Sequence, residues 1–275
     1  MLATDISLVI TTYNHPAALN AVLRGLNMQT IQGFQVIIAD DGSTLETTDL
    51  IHNFPSQYSL SHVWQEDNGF RAAAARNKAI AQIKTPYVIF LDGDCIPLPN
   101  FVEQHCKLAE QNCFVAGNRI LATSELTHEI LKREFDISKW CFCDWFQLRR
   151  KKQINRLSPL LILPNGNWRK FNQTWKGAKT CNLGVWLEDL KVINGFDERY
   201  QGWGHEDADL VVRLLRNKIK RKEGRFATPV LHLWHKENDR KNEVENFERL
   251  QQILQSKQIV AEQGLNQISG EKHLI

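Results

Sequence analysis

The fold is decided by residues 87–94, which read YVIFLDGD. Five consecutive apolar residues predict a strand buried on both faces, as in a parallel sheet. Carboxylates at the carboxyl end of such a strand lie where open α/β sheets bind ligands. We expect Gly93 to turn the backbone so that Asp92 and Asp94 face one point, where Mg²⁺ or Mn²⁺ would neutralise them. The alternative is a solvated Asp-Gly turn.

Strand and helix patterns alternate through the residues that precede this stretch. Apolar runs at residues 6–10, 34–39 and 60–64 predict three further strands. Apolar residues at helical spacing begin at Pro16, and an alanine-rich helix is predicted over 72–83. This order predicts a doubly wound parallel sheet with right-handed crossovers, whose polar loops gather at one edge and form the site.

The composition excludes several classes of protein. With 275 residues, 43% of them hydrophobic and 24% charged, the chain is expected to be globular. The net charge of +3 is too small to indicate a nucleic-acid partner. No apolar run approaches the ~20 residues of a spanning helix, and residues 6–10 indicate a structural strand rather than a signal peptide. We expect a cytoplasmic protein, either free or peripheral on the inner membrane, with its six cysteines reduced.

We divide the chain into four segments, of which residues 1–120 hold the nucleotide-binding half. Residues 121–176 are interpreted as an insertion over the site, 177–236 as the acceptor and catalytic half, and 237–275 as a helical tail. The insertion carries an aromatic cluster before a basic run at 149–152. The cluster consists of Trp140, Phe142, Trp145 and Phe146. Interfacial membrane contact, an acceptor platform and a core-packing helix with a solvated face are the alternatives.

A second acidic cluster lies at residues 202–209, which read GWGHEDAD. Acidic residues in the first turn of a helix stabilise its dipole, and this alone would explain Glu206 and Asp207. It does not explain the two glycines around Trp203, which predict a close-approach loop holding one flat ring suited to a sugar. A carboxylate there is a candidate general base towards an acceptor hydroxyl. In the helix that follows, Arg213 and Arg216 are predicted to lie opposite the apolar face.

Other residue types complete the predicted site. An ion held by Asp92 and Asp94 has room for another ligand, and imidazole is acceptable to Mn²⁺, so His235 is favoured over His232. Neither Gly-x-x-x-x-Gly-Lys nor Gly-x-Gly-x-x-Gly follows a strand, which excludes ATPases and dinucleotide enzymes. The loops after the early strands instead predict another nucleotide pocket. Its candidates are Thr11 and Tyr13 for base or ribose, Asp41 for a nucleobase N–H, and Arg71 and Arg76 for a diphosphate.

Six ordered motifs together resemble those of the family 2 glycosyltransferases with the GT-A fold. They read TTYN at 11–14, DDGS at 40–43, RN at 76–77, DGD at 92–94, NGFDE at 194–198 and GWGHEDAD at 202–209. The last two resemble the galactosyltransferase motif of bacterial chondroitin-type polymerases and animal β-1,4-galactosyltransferases. The resemblance implies an α/β fold with a Rossmann-like nucleotide-binding half, a mixed central sheet and an acceptor-binding C-terminal half.

The resemblance also implies inverting transfer from a UDP-sugar with a Mn²⁺ or Mg²⁺ cofactor. Asp94 would ligate the metal, Asp92 would contact ribose or sugar and the ion, and Asp207 would be the catalytic base. His205 departs from the pattern, which usually has a small residue there, at the acceptor pocket. The residues expected to bind the donor are Thr11, Tyr13, Asn14, Asp41, Arg71, Arg76, Asp92, Asp94, Trp203 and Glu206.

The expected function is transfer of a hexose or N-acetylhexosamine to a saccharide or glycolipid acceptor in bacterial surface glycan synthesis, such as lipooligosaccharide or capsule. The donor sugar stays open among galactose, N-acetylgalactosamine, glucose and N-acetylglucosamine. A processive synthase would need spanning helices and a Gln-x-x-Arg-Trp segment, and a nucleotidyltransferase would not need the GWGHED stretch. A catalytically inactive sugar-nucleotide-binding or scaffold protein is the other alternative, against which the intact carboxylates of both clusters argue.

Overall fold

The computed structural model describes residues 1–133, 135–236 and 239–269, and it begins with alternating strands and helices. The four strands are β1 Ile6–Thr12, β2 Gln35–Asp40, β3 Ser59–Trp64 and β4 Tyr87–Asp92. The helices between them are α1 Pro16–Asn27, α2 Leu45–Asn53 and α3 Ala72–Ile80. Pro16 occupies the first helical position, where its missing N–H costs no hydrogen bond. The alternation predicted from apolar periodicity is therefore confirmed.

The later elements comprise six strands and seven helices within the described residues. The strands are β5 Cys95–Pro97, β6 Cys113–Ala116, β7 Asn118–Leu121, β8 Asn182–Trp186, β9 Lys220–Glu223 and β10 Pro229–His232. The helices are α4 Phe101–Leu108, α5 Ser124–Arg133, α6 Phe142–Arg150, α7 Leu187–Val192, α8 Glu206–Arg216, α9 Glu243–Gln255 and α10 Leu265–Ser269. Among the described residues, none of these helices is long and apolar enough to cross a membrane.

The central sheet has seven strands in the order β3-β2-β1-β4-β8-β6-β9. The first four are parallel, as the alternation predicts. Beyond β4 the sheet is mixed, because β8 runs antiparallel to both β4 and β6, while β9 runs parallel to β6. The wholly parallel sheet predicted from the alternation thus ends at β4, and the mixed sheet that the resemblance implies is confirmed.

Both faces of the central sheet are covered by apolar clusters. In β1, Leu8 and Ile10 contribute to one cluster with the apolar side of α1, whereas Val9 contributes to the other with α3 and α8. Alternate residues of a strand point to opposite faces, so a strand buried on both sides is apolar throughout. The apolar run of β4 is fully buried for the same reason.

A second sheet of three strands, in the order β5-β10-β7, positions the histidines. Strand β10 runs antiparallel to β5 and parallel to β7, which places His232 opposite Cys95 on one side and Leu121 on the other. The backbone N–H of Leu233 donates to the carbonyl of Asp94 at 2.9 Å. Because β5 follows directly after β4, this sheet brings the end of β10 to the acidic end of β4.

The prediction for Arg213 is wrong. Its side chain is fully buried instead of lying opposite the apolar face of α8. The guanidinium pairs with Asp209 one turn earlier at 2.6 Å and donates to the carbonyls of Ile193 and Gly195. A buried cation is tolerated where a carboxylate and carbonyl oxygens satisfy it, and apolar periodicity alone does not reveal such partners. Arg216 is partly exposed and donates to carbonyls at the end of α9.

The segment interpreted as an insertion divides its aromatic residues between core and surface. Trp145 is buried and packs edge-to-face on Trp140 with ring centroids 5.0 Å apart. Phe142 and Phe146 on the same helix are exposed. The core-packing alternative therefore describes Trp145, and the surface alternatives concern the two phenylalanines. In the predicted helical tail, α9 and α10 are helices, and residues 237, 238 and 270–275 lie outside the described residues.

Candidate active site

The loops after β1, β2 and β4 meet at one edge of the central sheet. Thr11 pairs in register with Asp92, and the N–H of Gly93 donates to the Thr11 carbonyl at 2.8 Å. The N–H of Asp41 donates to the Thr12 carbonyl at 3.0 Å. The carboxyl ends of parallel strands thus bring the polar loops together as their order predicts.

The expectation that Asp92 and Asp94 face one point stays a prediction, and both carboxylates act electrostatically on Arg119. Gly93 does not adopt a left-handed conformation, and its role is close approach, because a Cβ there would lie 3.0 Å from the Thr11 carbonyl oxygen. Asp94 faces the end of β10, whereas Oδ1 of Asp92 lies 3.2 Å from Nη2 of Arg76. The two acids of the DGD motif therefore have different partners.

Asp94, His232 and His235 form a set whose potential ligand atoms all lie within 4.8 Å of one another. Oδ2 of Asp94 is 3.4 Å from Nε2 of His235 and 3.7 Å from Nε2 of His232. Nδ1 of His235 lies 2.8 Å from the carbonyl of Lys236, so a proton on Nδ1 donates there and leaves the Nε2 lone pair towards Asp94. Burial lowers the pKa of His232, and Asp94 only partly opposes this, which favours the neutral imidazole.

This set fits a divalent ion. Ligands about 2.1 Å from an octahedral ion are about 3 Å apart when adjacent and about 4.2 Å apart when opposite, and both measured separations lie between these limits. Two imidazoles and one carboxylate suit Mn²⁺ better than Mg²⁺, which prefers oxygen. The structure brings together three of the four predicted ligands. Asp92 instead belongs to a different group, with Cys95 and Cys181.

Arg76 connects the two acidic clusters. Its side chain is 5% exposed and lies 3.2 Å from Asp92 and 3.2 Å from Oε1 of Glu206, and its Nε donates to the Thr11 hydroxyl at 2.9 Å. Burial lowers the pKa of this guanidinium, but Asp92, Glu206 and Asp207 together outweigh burial and raise it. Arg76 and the Thr11 hydroxyl are thus engaged within the protein, and their contacts with a donor stay predictions.

Asn77, the residue after Arg76, holds the NGFDE loop through hydrogen bonds. The amide oxygen of Asn77 accepts from the N–H of Phe196, and its amide nitrogen donates to the Phe196 carbonyl and to Oε1 of Glu198, each at 2.9 Å. A buried amide satisfied on both sides holds a segment in one position. The RN motif of α3 therefore holds the NGFDE loop.

Helix α8 begins with the acidic residues of the GWGHEDAD stretch. Burial raises the pKa of Glu206 to about 7, with Asp207 adding to the rise and Arg76 opposing it. Asp207 is partly exposed, and its Oδ2 accepts from the N–H of Thr180 at 3.4 Å. The charge of Asp207 raises the pKa of Glu206 beside it and also that of Asp92, so the two acidic clusters are close enough to interact.

The Trp203 loop is held from two sides. Gly202 and Gly204 both have positive φ, and the N–H of Gly202 donates to the Phe70 carbonyl at 2.8 Å. From α9, the buried amide of Asn246 donates to the carbonyls of Gln201 at 2.9 Å and Trp203 at 3.3 Å. The guanidinium of Arg240 lies 4.6 Å from the centre of the Trp203 ring. The tail helix thus positions the loop, a role that the sequence pattern did not indicate.

The remaining nucleotide-pocket residues lie in neighbouring loops, where several already have partners. The two oxygens of Asp41 accept from Gln65 Nε2 and from the N–H of Arg71, each at 2.6 Å; burial nevertheless raises the pKa of Asp41. The Arg71 guanidinium donates to the Glu66 carbonyl. Two further residues complete this group: Tyr13 donates from its hydroxyl to Asp67 at 3.0 Å, and the Asn14 amide oxygen accepts from the N–H of Thr44 at 2.8 Å.

Two residues near the Asp94 set were not singled out in the sequence. His15, the residue before α1, is partly buried; burial lowers its pKa, while the charge of Asp94 raises it and that of His235 lowers it. Arg119 of β7 is close enough to interact electrostatically with Asp92 and Asp94. No local motif marks either residue, because the pairing that brings them to the site joins distant parts of the chain.

Comparison with protein families gives two adjoining matches. The glycosyl transferase family 2 model matches residues 7–167, and the model described as the N-terminal domain of galactosyltransferase matches residues 167–236. The two matches meet within the described part of the chain and together contain all six sequence motifs.

Among curated proteins, validoxylamine A glucosyltransferase of Streptomyces hygroscopicus subsp. jinggangensis is 28% identical over 76% of this chain and 51% of its own length. Chondroitin synthase of Escherichia coli is 29% identical over 78% of this chain and 33% of its own length. The chain thus spans about half or less of these relatives.

Two solved structures share the fold. TarS 1-349 of S. aureus, in complex with UDP, superimposes with a TM-score of 0.61 at 14% identity over 95% of this chain and 68% of that one. The mannosyltransferase PcManGT of Pyrobaculum calidifontis, in complex with GDP-Man and Mn²⁺, gives a TM-score of 0.53 at 14% identity, covering 83% and 56%. At these identities the likeness concerns the fold.

Proposed function

The chain belongs to glycosyl transferase family 2 and has the GT-A fold, and on this premise we propose that it is an inverting, metal-dependent glycosyltransferase. It moves a hexose or N-acetylhexosamine from a UDP-sugar to a hydroxyl of a saccharide acceptor. The observation that carries the proposal is that Arg76 bridges Asp92 of the DGD motif and Glu206 of α8, while Asp94 of the same motif forms the set with His232 and His235.

The metal side of the site is assigned to Asp94, His232 and His235. A divalent ion bound by these residues would neutralise the negative charge that develops on the departing diphosphate. The chain's own contribution is orientation: the Lys236 carbonyl fixes the tautomer of His235, and β10 holds His232 beside β4. Two solved neighbours that contain UDP, or GDP-Man with Mn²⁺, support a nucleotide-sugar donor.

Asp207 is the proposed general base. It accepts the proton of the acceptor hydroxyl while the acceptor oxygen bonds to the anomeric carbon and the bond from that carbon to UDP breaks on the opposite face. One displacement inverts the anomeric carbon without a covalent enzyme intermediate. Glu206 is less suited to the role, because it is buried and lies 3.2 Å from Arg76, whereas Asp207 is partly exposed. Trp203 contributes a flat apolar wall for the sugar.

Replacing Asp207 with asparagine tests this assignment. The amide cannot accept the proton, so turnover of the best donor should fall by about 10²-fold or more, as is typical for loss of a general base. Calorimetry with UDP and Mn²⁺ should show affinity within about twofold of wild type. Asp239→Asn, which changes an exposed carboxylate paired with Lys241, is the matched control. Near-wild-type turnover of Asp207→Asn would contradict the base assignment.

The exposed aromatic residues of α6 support a glycolipid acceptor at an anionic membrane surface. Phe142 is 62% exposed and Phe146, one turn later, is 53% exposed. Four exposed cations add positive charge at the end of this helix: Arg149, Arg150, Lys151 and Lys152. Aromatic rings inserted at the interface and cations near anionic headgroups act together in such contacts. We place this enzyme at the cytoplasmic face, in the synthesis of a bacterial surface glycan.

Vesicle sedimentation tests the membrane contact. The double variant Phe142→Ser/Phe146→Ser should lose most binding to phosphatidylglycerol vesicles, because it removes the apolar part of the contact. Leu45→Ser, which changes a 78% exposed leucine on α2, should bind as wild type does. Equal binding by the double variant, the control and the wild type would exclude α6 as the contact and leave the transfer reaction untouched.

A further inference from the structure

Arg119 lies on the same face of the small sheet as His232. In the register of that sheet Arg119 pairs with Val230, and Leu121, two residues later, pairs with His232. Residues two apart in a strand point to the same face, so the Arg119 side chain lies on the His232 side. Burial lowers the pKa of the Arg119 guanidinium, but Cys181, Cys95, Asp92 and Asp94 outweigh burial and raise it.

The Arg119 guanidinium has unused hydrogen-bond donors. Its Nη1 lies 3.9 Å from Sγ of Cys181, a weak acceptor, and no carboxylate of the described residues forms an ion pair with it. Its other nitrogens make no hydrogen bond with the part of the chain that the structure describes, and they are not sealed from solvent. A partly buried guanidinium is normally matched by an anion, because its desolvation is otherwise uncompensated. Asp92 and Asp94 offset the charge of Arg119 without accepting a hydrogen bond from it, so among the described residues its guanidinium keeps donors open for a bound anion.

The other two arginines of the site are committed elsewhere. Arg76 lies between two carboxylates, and Arg71 donates to the Glu66 carbonyl. Arg119 is thus the guanidinium that combines open donors with a place beside the Asp94 set. A divalent ion that is already partly neutralised by Asp94 would not offset the whole negative charge of a bound diphosphate. The fork of a guanidinium matches phosphate oxygens in geometry as well as charge.

We propose that Arg119 binds a phosphate oxygen of the donor's diphosphate, beside the Asp94–His232–His235 set. The proposal rests on the proposed function, because it requires a nucleoside-diphosphate donor. It assigns to β7 the contact that the sequence pattern assigned to Arg71 and Arg76. The contact is assigned to the phosphate at the sugar end of the donor, which UDP has and UMP lacks.

Calorimetry with UDP and UMP, each with saturating Mn²⁺, tests the proposal without measuring turnover. Arg119→Met should weaken UDP binding by about tenfold or more, as loss of a charge-assisted hydrogen bond does, and leave UMP binding within about twofold. Arg119→Lys keeps the charge without the fork and should recover part of the UDP affinity. Arg133→Met, which changes an exposed arginine on α5, should match wild type for both ligands.

The outcomes separate the inference from the function. Unchanged UDP affinity in Arg119→Met, or an equal loss for UDP and UMP, would overturn the role of Arg119 while leaving the transferase proposal in place. If Arg119→Met does not fold, the same comparison with Arg119→Lys decides: a loss confined to UDP supports the contact, and equal affinities overturn it. A wild-type protein that binds neither nucleotide with Mn²⁺ would overturn the proposed function and this inference together.

Discussion

Replacing Arg76 with methionine should destabilise the protein, because two carboxylates lose the cation that pairs with them. The side chain of Arg76 is 5% exposed, and it lies 3.2 Å from both Asp92 and Glu206. Removing one partner of a buried ion pair typically costs about 3–5 kcal/mol, because a charge stays buried without compensation. The side chain of Asp92 is 33% exposed, so water offsets part of its loss, whereas that of Glu206 is 11% exposed. We therefore expect the lower end, about 3 kcal/mol.

This free energy corresponds to a measurable shift in melting temperature. An unfolding entropy of about 2.1 cal/mol/K per residue over 275 residues gives about 0.6 kcal/mol/K, so Arg76→Met should lower Tm by about 5 °C. The shift should be larger at pH 8 than at pH 5, because Glu206, with a pKa of about 7, is protonated at pH 5 with or without the guanidinium, whereas at pH 8 its charge needs Arg76. Scanning calorimetry at both pH values measures this.

A double variant shows whether the carboxylate is the cause. Arg76→Met/Glu206→Gln removes the uncompensated charge and should recover about half of the lost stability. Arg133→Met, on the exposed face of α5, should leave Tm within about 1 °C, as surface substitutions usually do. If Arg76→Met lowers Tm by less than about 1 °C, or if the double variant is no more stable than the single one, Arg76 does not bridge the two acidic clusters.

Three further predictions concern helix α8 and the Trp203 loop that precedes it. Glu206 has a pKa of about 7 in the folded protein, above the usual value near 4.5. It therefore does not reduce the free energy of unfolding at low pH, but reduces it by about 3 kcal/mol as pH rises from about 4.5 to 7. Glu206→Gln should flatten this part of the stability–pH curve. His205 has a φ of 75°, so His205→Gly should be more stable than His205→Ala by about 1 kcal/mol in urea unfolding, and equal stabilities would show that this backbone is unstrained. Asn246→Ala removes the two hydrogen bonds that the Asn246 amide donates to the Trp203 loop, and it should raise the acceptor KM with little change in Mn²⁺ affinity. An unchanged KM would show that α9 does not position the loop.

The first half of the fold was predictable because its signals are local. Apolar runs and helical periodicity up to β4 depend on neighbouring residues, and the observed strands follow them closely. The pairing of β8 with both β4 and β6 depends on contacts between distant segments, so periodicity could not give the mixed sheet. Only the motif resemblance indicated it.

The site residues divide in the same way, into those with a local sequence signal and those placed by contacts between distant segments. Strand order placed the acidic loops at one edge, and His232 of β10 and His235 after it were found because the first cluster lacked a ligand. The ion-pair partners of Asp92 and Asp94 are Arg76 and the two histidines, which come from other segments of the chain, so no local sequence pattern records them. Arg119 and Asn246 likewise come from elements whose packing joins distant residues, so neither carried a signal.

The most direct test of the account is UDP release from a panel of UDP-sugars, measured with Mn²⁺ and again with EDTA, for the wild type and for Asp94→Asn. We expect at least one donor to yield Mn²⁺-dependent release of UDP. EDTA should abolish this release, and Asp94→Asn should weaken the response to Mn²⁺. Release that is equal with EDTA, or an Asp94→Asn variant with an unchanged Mn²⁺ response, would contradict the metal side of the site. No release from any donor would contradict catalysis itself.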